Sequence, residues 1–70
     1  MITNKTEDQI LQIVRNGASV AVDAATYAPA QIIQFARNLK DGCTLTVCNS
    51  DKMKADDMLQ VARNGRAMFE

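Results

Sequence analysis

The chain has 70 residues with no histidine, no tryptophan, one proline, two cysteines, three glycines and three aromatic residues. The missing histidine removes the commonest general base and the usual activator of a hydroxyl or thiol nucleophile. Together with the lack of a CxxC spacing, it also leaves no ligand set for a structural zinc site. Net charge is missing too, because eight basic residues balance eight acidic ones. The field that draws a protein to nucleic acid or anionic lipid is therefore absent. Tyr27, Phe35 and Phe69 are the only aromatics, too few to make a stacking platform for bases, so no nucleic-acid partner is expected. No apolar run approaches the roughly 18 residues of a membrane span, and Met1-Ile2-Thr3-Asn4-Lys5 does not resemble a secretory leader. A membrane partner is not expected, and a cytoplasmic location is. The length predicts a single domain, residues 1–70, with a core that is marginal unless self-association adds to it.

Chemistry is equally scarce. The adjacent carboxylates Glu7-Asp8 and Asp56-Asp57 fall where helices begin, and Gly17, Gly42 and Gly65 are isolated stops that form no phosphate-cradling loop. No catalytic residue, metal site or cofactor is assigned, and the expectation is a protein that is not an enzyme. Cys43 and Cys48 flank Thr44-Leu45-Thr46-Val47, which alternates like a strand. Across a strand their Cα atoms stand about 16 Å apart at the usual rise, beyond the roughly 7 Å a disulfide tolerates. Two free thiols follow, in keeping with a reducing compartment.

What the chain does contain is a repeat. Ile10-Leu11-Gln12-Ile13-Val14-Arg15-Asn16 returns as Ile32-Ile33-Gln34-Phe35-Ala36-Arg37-Asn38 and as Met58-Leu59-Gln60-Val61-Ala62-Arg63-Asn64, starting 22 and then 26 residues further on. Gln, Arg and Asn keep their places while the other four stay apolar. Each copy starts like a helix. Thr6-Glu7-Asp8-Gln9 fits a capping box, Pro29 suits a first helical position, and Asp56-Asp57 place negative charge in a first turn. Tyr27 and Met53 are positioned to staple Ile32 and Met58. Each copy also ends on a cation, Arg15, Arg37 or Arg63, with Asn16-Gly17 and Asn64-Gly65 suited to left-handed caps. The second helix is expected to run on through Leu39-Lys40 and stop at Asp41-Gly42.

A strand candidate follows each helix: Ser19–Val22, Thr44–Val47 and Ala67–Phe69. Strands joined through helices are parallel, and right-handed crossovers put the helices on one side. The predicted class is thus α/β, with three helix-strand repeats (approximately 6–23, 28–49 and 54–70) and a three-stranded parallel sheet in sequential order. Val20, Val22, Leu45 and Val47 are assigned to the helix side, and Ser19, Ala21, Thr44, Thr46 and Cys48 to the open side. In the last strand either Met68 or Phe69 faces inward.

With Leu45-Thr46-Val47-Cys48-Asn49 as its strand motif, the pattern resembles a short solenoid of the leucine-rich-repeat type, without that family's longer leucine consensus. The resemblance implies a corner ladder of Asp23 and Asn49, although matching buried strand residues pairs Val22 with Val47 and so Ala24, not Asp23, with Asn49. From Val20 onward the order of elements is also similar to the later half of the STAS domain. That likeness implies a regulatory domain acting through partner binding, with Thr26 the one hydroxyl near the family's phosphorylated serine; the Ser-Gly pair itself is absent.

Two surfaces emerge as candidates. The open sheet side (Ala21, Thr44, Thr46, Cys48) and the unprotected edge strands suit self-association or a protein partner, and a symmetric homodimer is expected. Gln12, Arg15, Gln34, Arg37, Gln60 and Arg63 lie three apart in pairs, so each pair shares a helix face. Stacked helices would make them a polar stripe, either plain repeat surface or a dock for an acidic partner. The leading expectation is a non-enzymatic interaction or assembly module, with the STAS-like regulatory domain as the alternative.

Overall fold

The computed structural model describes residues 1–70. Its elements are α1 (Glu7–Arg15), β1 (Val20–Asp23), α2 (Pro29–Arg37), β2 (Leu45–Cys48), α3 (Ala55–Asn64) and β3 (Ala67–Phe69), with a 3-10 turn over Ser50–Lys52. The three strands form one parallel sheet in the order β1-β2-β3. The α/β class, the helix-strand alternation and the parallel sheet are therefore as the repeat predicts. No helix is long and apolar enough to cross a membrane.

Helix starts follow local chemistry. At α1 the Gln9 N–H donates to Thr6 Oγ1 (3.2 Å) and the Thr6 N–H to Gln9 Oε1 (3.0 Å), closing a capping box. At α2 the Ala28 methyl can accept nothing, so only the return bond is made, from the Ala28 N–H to Gln31 Oε1 (2.8 Å). Tyr27 and Met53, just outside the starts of α2 and α3, are buried. The Tyr27 hydroxyl donates to the Lys5 carbonyl (2.6 Å), and its ring meets Phe35 edge to face at 5.6 Å, which ties the entry of α2 to the approach of α1.

Two helix ends differ from expectation. Residues 39–40 are not helical: α2 stops at Arg37, in step with α1. Asn38 turns its side-chain amide onto the Gln34 carbonyl (2.8 Å), which caps the last turn, and Leu39 packs on the core. Gly65 is extended (φ −171°) instead of left-handed. Its glycine answers a different need, since a Cβ there would press into the Ala36 carbonyl oxygen and Leu39 Cδ1. Left-handed backbone occurs at Gly17, Gly42 and Asn49.

In the sheet, β1 and β2 each begin and end one residue later than their expected limits. At their start the Thr44 N–H bonds to Ser19 Oγ (2.9 Å), a side chain, so the ladder opens only at Val20 and Leu45. Two rows face the helices, Val20-Leu45-Ala67 and Val22-Val47-Phe69, and Ala21-Thr46-Met68 crosses the other side. Phe69 packs on the core while Met68 stays 56% exposed, which fixes the phase of β3. Val22, Leu45 and Val47 share one buried cluster with Ile10, Val14, Ile32, Phe35 and Val61 of the helices. The β1 edge is not bare. Ile2 bridges Val22 in parallel and donates its N–H to the Ala21 carbonyl (2.7 Å), leaving β3 as the open edge.

Candidate functional site

The repeated Gln, Arg and Asn build a hydrogen-bonded ladder across the helix layer. In every copy the Asn side-chain amide donates to the main-chain carbonyl of the Gln four residues earlier, at 2.7 Å for Asn16 on Gln12, 2.8 Å for Asn38 on Gln34 and 2.7 Å for Asn64 on Gln60. The helix thereby fixes the orientation of the amide and turns its oxygen outward. An arginine of the preceding copy takes that oxygen: Arg15 Nε donates to Asn38 Oδ1 (3.1 Å) and Arg37 Nε to Asn64 Oδ1 (3.4 Å). Arg15, Arg37 and Arg63 are exposed, as are Gln12 and Gln60, and Gln34 is half-buried. The predicted stripe therefore exists, but two of its three arginines are already engaged between repeats. The asparagines are the partners that sequence pattern alone did not assign to it. Their signal was present in the fixed Arg-Asn order of all three copies.

The second candidate surface is the sheet side without helices. Ala21, Thr44, Thr46 and Cys48 are all half-buried there, and Met68 adds the largest exposed side chain. Thr44 lies just before β2 and marks the rim. Both cysteines are free; the Cys43 thiol donates to the Gly17 carbonyl (3.1 Å).

At the far end of the sheet, Asp23 binds the two corners together. Its Oδ1 accepts from the Asn49 amide (2.7 Å) and the Ala25 N–H (3.0 Å), and its Oδ2 accepts from the Thr26 hydroxyl (2.8 Å). The strand register sets Asp23 beside Cys48, and the left-handed backbone of Asn49 (φ 57°) turns its side chain back by one place to complete the bond. The one-residue mismatch is thus absorbed by a backbone conformation that asparagine tolerates better than most residues. These donors, Asn49 first, then Ala25 and Thr26, favour the charged form and hold the Asp23 carboxyl below its ordinary 3.8. Thr26, the hydroxyl implied by the STAS-like resemblance, serves here as a turn donor and is exposed.

Three or more histidine, cysteine or carboxylate groups nowhere converge in a metal-binding cluster. Comparison of the chain with family models, curated proteins and solved structures gives no match.

Proposed function

We propose that the protein is a non-enzymatic interaction and assembly module whose open sheet face docks a protein partner, in the simplest case a second copy as a homodimer. The observation that carries this reading is the uncovered side of the parallel sheet, where Ala21, Thr46 and Met68 form one row and Met68 is 56% exposed. Parallel sheets are ordinarily covered on both faces, so the bare face is the place a partner fits. At its centre Ala21 and Thr46 are small and uncharged, and Met68 adds an exposed apolar side chain, which suits close approach of another protein surface. The carboxylates add support, since Glu7, Asp8, Asp56 and Asp57 sit in first turns and Asp23 is held by its own corner.

Substitution at the centre of that face is the test. Thr46→Lys is expected to leave the fold intact and to remove the sheet-face contact, so that association measured by sedimentation equilibrium weakens; association unchanged by it would overturn the reading. Thr26→Glu separates this reading from the STAS-like alternative: under the proposal it leaves association unchanged, and a change in partner binding on that substitution would favour a phosphoswitch.

A further inference from the structure

The helix layer has two unlike end faces, and its internal joints show what fits them. Each repeat position can be followed through three environments. Ile13, Phe35 and Val61 hold the same place in their copies. Phe35 and Val61 are fully buried while Ile13 is 38% exposed. That place therefore faces the preceding repeat, and within residues 1–70 none stands before α1. The positions of Leu11, Ile33 and Leu59 and of Val14, Ala36 and Ala62 behave in the opposite way. Leu11 and Ile33 are half-buried, and Val14 and Ala36 are buried, whereas Leu59 is 52% exposed and Ala62 is exposed. Those places face the following repeat, and within residues 1–70 none stands beyond α3.

The polar ladder has the same polarity. Arg15 reaches forward to Asn38 and Arg37 to Asn64, yet Arg63 has no asparagine ahead of it and Asn16 has no arginine behind it. Asn16 is nonetheless held in the same pose as the other two by its bond to the Gln12 carbonyl, with Oδ1 unused. Around it, Lys5, Gln9, Gln12, Ile13, Asn16 and Ala18 line an open groove of about 580 Å³ along α1.

We propose that a second copy of this chain docks head to tail on α1, its α3 face entering the groove. In that contact Leu59 and Ala62 of one copy lie against Ile13 of the next, and Arg63 Nε donates to Asn16 Oδ1. The joint repeats between molecules what α1–α2 and α2–α3 already do within one. Self-complementarity is built in, because a repeat carries both halves of its own interface. This surface is separate from the open sheet face, so the inference goes beyond the proposed function.

The sheet layer accommodates the contact. One copy's β3 edge is open, and the next presents Ile2 beside β1. A contact between two different faces is heterologous, so it continues to longer arrays unless a ring closes.

The test uses charge at the two faces in a Thr46→Lys background, where pairing through the sheet face is silenced. Ile13→Asp removes the α1 face and Leu59→Asp the α3 face, and both positions are exposed enough to accept the change. Sedimentation equilibrium is run over about 10 μM to 1 mM, the range of weak interfaces, with circular dichroism to verify folding. The background protein is expected to associate, and each aspartate variant alone to bind itself at least tenfold more weakly. An equimolar mixture is expected to recover a 1:1 complex that stops at twice the monomer mass, because one good face of each kind remains. Should one aspartate variant fail to fold, Asn16→Ala and Arg63→Ala replace the pair, and each is expected to weaken association severalfold. A background protein that stays monomeric overturns the inference. So does a mixture that forms no complex, or association lost through only one of the two faces. Wild-type association abolished by Thr46→Lys alone would end the head-to-tail contact while leaving the proposed function standing.

Discussion

Ile10–Asn16 and Ile32–Asn38 are copies of one motif, folded into helices of nine residues each, yet they carry different loads. In α2 the third apolar place of the motif holds Phe35, fully buried and in contact with the Tyr27 ring, whereas in α1 it holds Ile13, 38% exposed. Both residues are apolar and both fall on the same helical stripe. The difference is the neighbour: α2 lies between two helices and α1 has one. The same motif therefore contributes to stability in proportion to the joints it completes, and an apolar residue without its joint becomes surface.

Truncation of the same place in both helices should give the largest difference. Phe35→Ala should cost about 3–5 kcal/mol, enough to unfold most of the population of so small a domain. Ile13→Ala at low protein concentration should cost no more than about 1 kcal/mol. Urea denaturation with a common slope measures both. Equal losses would mean that α1 is as enclosed as α2.

Gly65 and Gly42 are glycines for different reasons. Gly65→Ala should destabilise by about 1–3 kcal/mol by forcing α3 away from the Ala36 carbonyl. Gly42 has open space around a Cβ and φ of +86°, so Gly42→Ala should cost only about 1–2 kcal/mol, as left-handed strain. Crucially, Gly42→Asn should recover part of that loss and Gly65→Asn none, as thermal melts would show.

The two corners of the sheet differ in the same instructive way, because the β1 corner supplies the charge and the β2 corner the donor. With the folded-state pKa of Asp23 lowered, its contribution is complete above the ordinary value of 3.8 and is lost as pH falls through the lower folded value. Asp23→Asn is expected to be less stable than wild type at neutral pH, with the difference shrinking below pH 3.8. Parallel stability curves down to strong acid would contradict the role given to that carboxylate.

The smallest effects belong to the exposed rungs. Arg37→Ala should lower stability by about 0.5–1 kcal/mol, through loss of the bond to Asn64. Arg63→Ala should leave the stability of the monomer unchanged, since no rung depends on it. A double-mutant cycle of Arg37 with Asn64 measures the coupling directly.

Local chemistry left the clearest marks in the sequence. The capping box at Thr6, Pro29 at a first turn, the alternation through Leu45–Cys48 and the threefold motif are short-range patterns, and each was legible before any coordinate. Parallel order followed from chain connectivity, because a helix lies between each pair of strands. Structure departs from local pattern where two local signals compete or where the cause is remote. Leu39-Lys40 has helical propensity, but Asn38 caps the turn before it. An Asn-Gly pair reads as a left-handed stop, but Gly65 is small because α2 passes close by.

The candidate surfaces divide along the same line. Periodicity placed Ala21, Thr44, Thr46 and Cys48 on one sheet side and the Gln-Arg pairs on one helix face, because side-chain direction is set by strand and helix geometry alone. Which arginine meets which asparagine depends on how far one helix is shifted along the next. Whether Met68 or Phe69 turns inward depends on the register of a strand only three residues long. The engagement of Arg15 and Arg37, the open ends at Asn16 and Arg63, and the cover that Ile2 gives β1 were therefore decided only in three dimensions. Sequence determined the repeating unit because its hydrogen bonds and apolar stripe close within some twenty residues. Tertiary structure alone decided the joints, because each is made by atoms more than twenty positions apart whose meeting no local preference encodes.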